Sequence, residues 1–186
     1  MPINCLYSFH PLDDISSCDV SSLPESTLSE VEADAFWCLS KLFDGIQDHY
    51  TASQPGIQAN VNKLKELIHR LDGPLYNHIT DQGLEFNMFA FRWINCLLIR
   101  EFPLRVIIRL WDTYMAEVNG FGVFHVYVCA ALLRMFSKDI MKMKLENILM
   151  LLQSMPTQHW AAGREEETLL SEAFILKSLF ESASSI

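Results

Sequence analysis

The chain has 186 residues, half of them apolar and 11% aromatic, with seven glycines and seven prolines. That excludes a disordered, collagen-like or low-complexity chain and leaves a globular one able to bury roughly 70% of its extended surface. Of the formal net charge of −9, residues 1–62 carry −8 (nine acids against the single base Lys41), which argues against a nucleic-acid footprint with its clustered Lys and Arg.

Along the chain, residues 1–25 mix Ile3, Leu6, Tyr7 and Phe9 with Pro2, Pro11, Pro24 and a Ser/Asp-rich stretch, and are expected to be irregular. Thr27 and Glu30 supply a capping box ahead of Leu28, Val31, Ala35, Leu39, Leu42 and Ile46 at helical spacing, predicting a helix over about 28–48. Pro55, tolerated in a first turn, leads a second amphipathic helix through Ile57, Val61, Leu64, Ile68 and Leu71. Asp72-Gly73-Pro74 breaks it, and a short helix through Leu75 and Ile79 ends at Gly83.

Three segments then differ in kind. Residues 85–99 are apolar nearly all round, residues 103–116 carry a narrow stripe of Arg105, Arg109 and Asp112, and residues 122–136 hold a lone His125 before Arg134. Helices so apolar belong in an interior. Gly120-Phe121-Gly122 reads as a turn between the last two. Helices over about 143–154 and 165–181 close the chain, the last with Glu165, Glu166 and Glu167 at its positive end. No alternating strand pattern persists, so the predicted class is all-α.

The devices of common chemistries are missing from this pattern. The five cysteines form no CxxC pair and are odd in number, and no signal-peptide pattern opens the chain, which fits a reducing compartment. The six histidines are scattered without metal-ligand spacing. There is no GxGxxG, P-loop or GxSxG. No metal site, cofactor or catalytic residue is assigned. The longest near-apolar run, Phe121 to Leu133, is shorter than the about 20 residues a spanning helix needs, so no membrane insertion is expected. His125 and Cys129, one turn apart, read as a buried thiol beside a hydrogen-bonded imidazole rather than a reactive couple.

The densest chemistry lies between Arg92 and Asp112. Arg92, Trp93, Arg100, Glu101, Arg105, Arg109, Trp111 and Asp112 fall within 21 positions. Asp112 lies one turn beyond Arg109, spaced for a bidentate pair. Two readings stay open there: an ion-pair network fixing the register of two apolar helices, or a guanidinium surface for a partner.

Arg92-Trp93, Arg100-Glu101-Phe102-Pro103-Leu104 and Arg109-Leu110-Trp111-Asp112 resemble a signature block of TBC domains, the GTPase-activating modules for Rab proteins. The likeness continues upstream through Glu32–Cys38, Asp44–Tyr50 and Gln54–Gln58. Downstream it runs through Phe124–Ala131 and Leu152–Trp160. It is nearest to the branch containing TBC domain family member 22 and covers about residues 30–180. The resemblance implies a V-shaped all-helical domain that inserts an arginine and a glutamine finger into a Rab nucleotide site. The guanidinium neutralises charge on the transferring phosphoryl group and the carboxamide orients the water.

The family carries those fingers in IxxDxxR and YxQ blocks, upstream of the region matched here. Neither block occurs in the 186 residues: Tyr7, Tyr50, Tyr76, Tyr114 and Tyr127 are followed two positions on by Phe, Ala, His, Ala and Cys. The chain is therefore expected to be the carboxy-terminal helical lobe, with residues 1–25 irregular, 26–182 a partial TBC domain and 183–186 a tail. Arg92, Trp93, Arg100, Glu101, Arg109, Trp111 and Asp112 are family-signature positions of structural role, and none is a finger.

Three alternatives stay open: a partial form of an active activator, a short relative that binds a Rab without activating it, and a helical scaffold. The expected partner is a Rab-family small GTPase, and the expected location cytoplasmic, with recruitment to endomembranes. The middle helices carry more apolar circumference than half a domain covers. An exposed apolar patch and self-association are expected.

Overall fold

The structure, a computed structural model, describes residue 21, residues 23–160 and residues 164–183. Most of the irregular stretch expected over 1–25, and the tail apart from Ala183, lie outside these residues. The chain divides into two compact units, Met1–Phe43 and Asp44–Ile186.

In the first unit, Pro24 sets the helix start. Its carbonyl accepts the Leu28 N–H at 3.0 Å, the first bond of helix α1 (Glu25–Asp44). The expected capping box at Thr27 and Glu30 thus lies inside the helix. The helix also ends earlier than expected: Gly45, a poor helix former, follows.

The second unit begins with a 3₁₀ turn, Gln47–His49. Helix α2 (Pro55–Leu71) starts on its proline and buries Ile57, Val61, Leu64, Leu67 and Ile68 along one face. Asp72 separates it from α3 (Gly73–Asp81): one carboxylate oxygen accepts the Leu75 N–H at 3.0 Å, and the other accepts the Ser137 hydroxyl at 2.7 Å.

Helix α4 (Asn87–Asn95) is shorter than the 85–99 expected. It stops because Leu97 and Leu98 both take positive φ, 49° and 61°, and the Leu98 N–H turns back to the Trp93 carbonyl at 3.0 Å. Two consecutive left-handed leucines are strained. Their burial and the contacts around them hold the turn. Helix α5 (Leu104–Ala116) follows Pro103.

The expected turn at Gly120-Phe121-Gly122 is instead a π-helical turn, Gly120–Phe124, running directly into α6 (His125–Met135). Both glycines are sterically required: a Cβ on Gly120 would lie 2.0 Å from the Tyr114 carbonyl oxygen, and one on Gly122 would lie 2.7 Å from that of Gly45. A short α7 (Ser137–Ile140), not foreseen, precedes α8 (Leu145–Gln153) and α9 (Glu165–Ala183).

Every residue from His125 to Leu133 is buried, with α2, α4 and α9 packed on α6. Of the three apolar middle helices, α6 is covered all round over this stretch. Large apolar side chains are exposed on the other elements, among them Met88 of α4, Leu104 and Ile108 of α5, Met150 of α8 and Ile175 of α9, and in the first unit Phe36, Trp37, Leu39 and Phe43 of α1. Among the described residues there is no strand, and the fold is all-α.

Candidate functional site

Helix α4 brings Arg92 and Trp93 to the end of α8. The last carbonyls of a helix have no intrahelical partner and carry its negative pole. Arg92 Nη2 donates to the carbonyls of Gln153 at 2.7 Å and Leu152 at 3.3 Å, and Trp93 Nε1 donates to that of Leu152 at 3.2 Å. The same Nη2 donates to Glu101 Oε2 at 2.9 Å.

Glu101 is 2% exposed. Burial pushes its carboxyl above the usual range, and the charges of Arg92 and Arg100 pull it partly back. Its backbone carbonyl accepts the Thr157 hydroxyl, while the next residue, Phe102, packs at a tilt against Trp160 with ring centroids 5.2 Å apart. On the other side of the 96–103 turn, Trp111 Nε1 donates to the Leu97 carbonyl at 3.2 Å. Arg92, Trp93, Glu101 and Trp111 thus join α4, this turn, α5 and the end of α8.

Arg109 does not take Asp112 as its bidentate partner. Its Nε and Nη2 reach Glu167 Oε1 and Oε2 at 2.7 and 3.0 Å, tying α5 to the first turn of α9, and its Nη1 donates to Thr113 at 2.6 Å. The fork needs two carboxylate oxygens in its own plane, and a residue on the neighbouring helix presents them. These bonds hold the Glu167 carboxyl below its usual range. Asp112 contributes a nearby charge only. Arg100 and Arg105 are exposed and meet no hydrogen-bond or ion-pair partner among the described residues. The two readings of this segment therefore divide: Arg92 and Arg109 are internal ties, and Arg100 and Arg105 face outward.

His125 sits at the centre. Its Nδ1 accepts the Tyr114 hydroxyl at 3.1 Å, and its Nε2 lies 3.1 Å from the Trp93 carbonyl. A carbonyl only accepts, so Nε2 carries the hydrogen. Complete burial lowers the imidazole pKa to about 4. Cys129 Sγ is 3.6 Å from Nε2, and burial pushes the thiol well above its ordinary value. Both groups are neutral at pH 7, as a buried thiol beside a bonded imidazole requires, and no thiolate–base couple exists here. Among the described residues, no group of three His, Cys, Asp or Glu side chains is placed to hold a metal ion.

Sequence reasoning missed Glu167, Thr157 and the carbonyls of Leu152 and Gln153. The acidic run at 165–167 was visible, but nothing in spacing links it to an arginine 58 positions away.

Comparison with known proteins supplies the remaining finding. A family model described as the Rab-GTPase-TBC domain matches residues 19–141. GTPase-activating protein gyp1 of Schizosaccharomyces pombe is 53% identical over 166 residues, covering 89% of this chain and 32% of that protein. Human TBC1 domain family member 22B is 51% identical over 173 residues, covering 92% and 34%. The solved Ypt/Rab-GAP domain of Gyp1p superposes with a TM-score of 0.79 at 45% identity, over 86% of this chain and 49% of that one. The chain thus spans about a third of the length of these curated relatives and about half of the solved domain.

Proposed function

The chain belongs to the Rab-GTPase-TBC domain family, and from that premise we propose that it is one lobe of a GTPase-activating domain for a Rab-type small GTPase. In this reading it is a regulator of a partner enzyme, with the reactive fingers supplied by polypeptide outside these 186 residues. One observation carries the reading: 86% of the chain superposes on a solved Rab-GAP domain, yet it accounts for only 49% of that domain. Residues 26–182 form the partial domain. Arg92, Trp93, Glu101, Arg109 and Trp111 act as internal ties, and with Arg100 and Asp112 they transfer no proton and touch no nucleotide.

The committed ties support this division of labour. A guanidinium that must reach across to a partner's phosphate has to be free in the unbound protein, whereas Arg92 and Arg109 are already held by carboxylates and carbonyls. The lobe's contribution is an all-α frame. No helix among the described residues is long and apolar enough to cross a membrane. The protein meets endomembranes through its GTPase partner, from the cytoplasm.

GTP hydrolysis across a panel of Rab proteins tests this. The chain fused behind the uncovered part of the solved domain is expected to accelerate at least one of them. Silence of the fused form on every Rab overturns the reading.

A further inference from the structure

The 3₁₀ turn Gln47–His49, helix α2 and the π-helical turn Gly120–Phe124 meet at one polar cluster. His49 is 1% exposed. The side-chain nitrogen of Asn60, on α2, lies 3.1 Å from His49 Nε2 and donates to the Gly122 carbonyl at 3.3 Å. A carbonyl only accepts, so the Gly122 oxygen fixes which end of the Asn60 amide faces it. The same amide nitrogen faces Nε2, and Nε2 is therefore an acceptor. The imidazole hydrogen sits on Nδ1, which is buried and meets no hydrogen-bond partner among the described residues. Gly45 closes the far edge, its carbonyl oxygen 2.7 Å from where a Gly122 Cβ would stand.

We propose that His49, Asn60 and the Gly122 carbonyl form a proton-sensitive latch, which ties the 3₁₀ turn, α2 and the π-helical turn together while the imidazole is neutral and releases them when it takes a proton from solvent. The proton can go only to Nε2, which already faces an N–H group. Two donors then oppose each other. Turning the amide gives Nε2–H an acceptor in Asn60 Oδ1, but sets that oxygen against the Gly122 carbonyl. Either way one of the two bonds is lost, and the new charge stays buried. The π-helical turn runs directly into α6, so the release acts at the start of that buried helix.

The surrounding groups set the sign. Burial holds the His49 pKa below 6.5, with Asp48 on the same turn pulling the other way. From α6, His125 meets the His49 charge as a repulsion, and the Tyr50 ring stands with its centroid 6.2 Å from that of His49. Helix α2, packed on the 3₁₀ turn, presents the uncharged Asn60. The latched imidazole refuses a proton that the released one, in water, accepts near about pH 6.5. The released fraction should therefore grow by up to about tenfold for each pH unit below that value, until the latched pKa is reached.

Native-state hydrogen exchange of the full 186-residue chain tests this. The Val123 and Phe124 amides, both bonded to the Asn119 carbonyl, report the π-helical turn once the intrinsic pH dependence of exchange is divided out. Their protection should fall by about tenfold or more between pH 7 and 5. His49→Gln keeps an acceptor for Asn60 and has no proton to gain, so the fall should flatten. His125→Asn, which removes the other buried imidazole, should leave the fall in place. Asn60→Ala should give at pH 7 the low protection that the native chain reaches at pH 5. Protection constant from pH 7 to 5 overturns the proposal, as does an equally steep fall in His49→Gln. Exchange of these amides no faster than in the middle of α9, where only global unfolding gives release, also overturns it. Where His49→Gln does not fold, the native chain decides: the carbon-bound ring protons of His49, followed by NMR, should titrate in step with the loss of protection, and a titration that leaves the turn protected overturns the latch.

Discussion

Replacing His125 with Asn tests the centre of the fold through its pH dependence. Asn places an acceptor near the position of Nδ1, so Tyr114 keeps a partner, while the Trp93 carbonyl loses its donor. At pH 7 the cost should be about 1–3 kcal/mol, the usual penalty for one unsatisfied buried group. The native imidazole has its pKa lowered to about 4 by burial, against 6.5 in the unfolded chain. Between those values the unfolded state takes a proton that the folded state refuses. The native protein therefore loses stability as pH falls, at about 1.4 kcal/mol per unit and about 3 kcal/mol in all between pH 6.5 and 4. The Asn variant has no such proton to gain. His49, whose pKa burial also lowers, is present in both proteins, and its charge is the smallest of the influences on His125. Urea unfolding followed by circular dichroism at pH 7, 6, 5 and 4 should show the two stability curves converging and crossing above pH 4. A gap that stays constant with pH would refute the neutral, buried His125.

The two arginine ties should differ sharply. Arg92→Met leaves the Glu101 carboxylate buried without its cation and uncaps α8, and is expected to cost about 3–5 kcal/mol by urea unfolding. Arg109→Ala removes a pair in which both side chains are nearly half exposed and should cost no more than about 1 kcal/mol. Equal costs would contradict the division drawn between them. Gly120→Ala puts a methyl group inside the Tyr114 backbone, and should remove cooperative thermal unfolding. A variant melting within a few degrees of the native protein would show that the π-helical turn can yield.

The helices were legible because their apolar residues repeat at 3.6 and their boundaries carry Pro55, Asp72 and Pro103. Three features escaped. Leu97 and Leu98 adopt left-handed backbone that leucine avoids, so no propensity announces the early end of α4; the bond from Trp111 of the next helix to the Leu97 carbonyl, with the burial of both leucines, holds it. The π-helical turn depends on how closely Gly120 and Gly122 meet distant backbone, which a two-glycine pattern does not distinguish from an ordinary turn. Arg109 was offered a carboxylate one turn away and took one from another helix. Local spacing proposes pairs, and tertiary packing chooses among them. By contrast, the neutral state of His125 and Cys129 followed from the apolar character of their segment alone. The family likeness was also legible, since it rests on whole blocks such as Arg100–Leu104 and Arg109–Asp112 rather than on any single contact.

In the proposed function, this chain frames an activating domain without supplying its reactive groups. Single-turnover hydrolysis of GTP preloaded on a panel of Rab proteins, followed against increasing concentrations of the unextended chain, addresses it most directly. Every Rab should keep its intrinsic rate at all concentrations. A saturable, dose-dependent acceleration of any one of them would mean that a finger lies within these 186 residues, and would overturn the proposed division between frame and fingers.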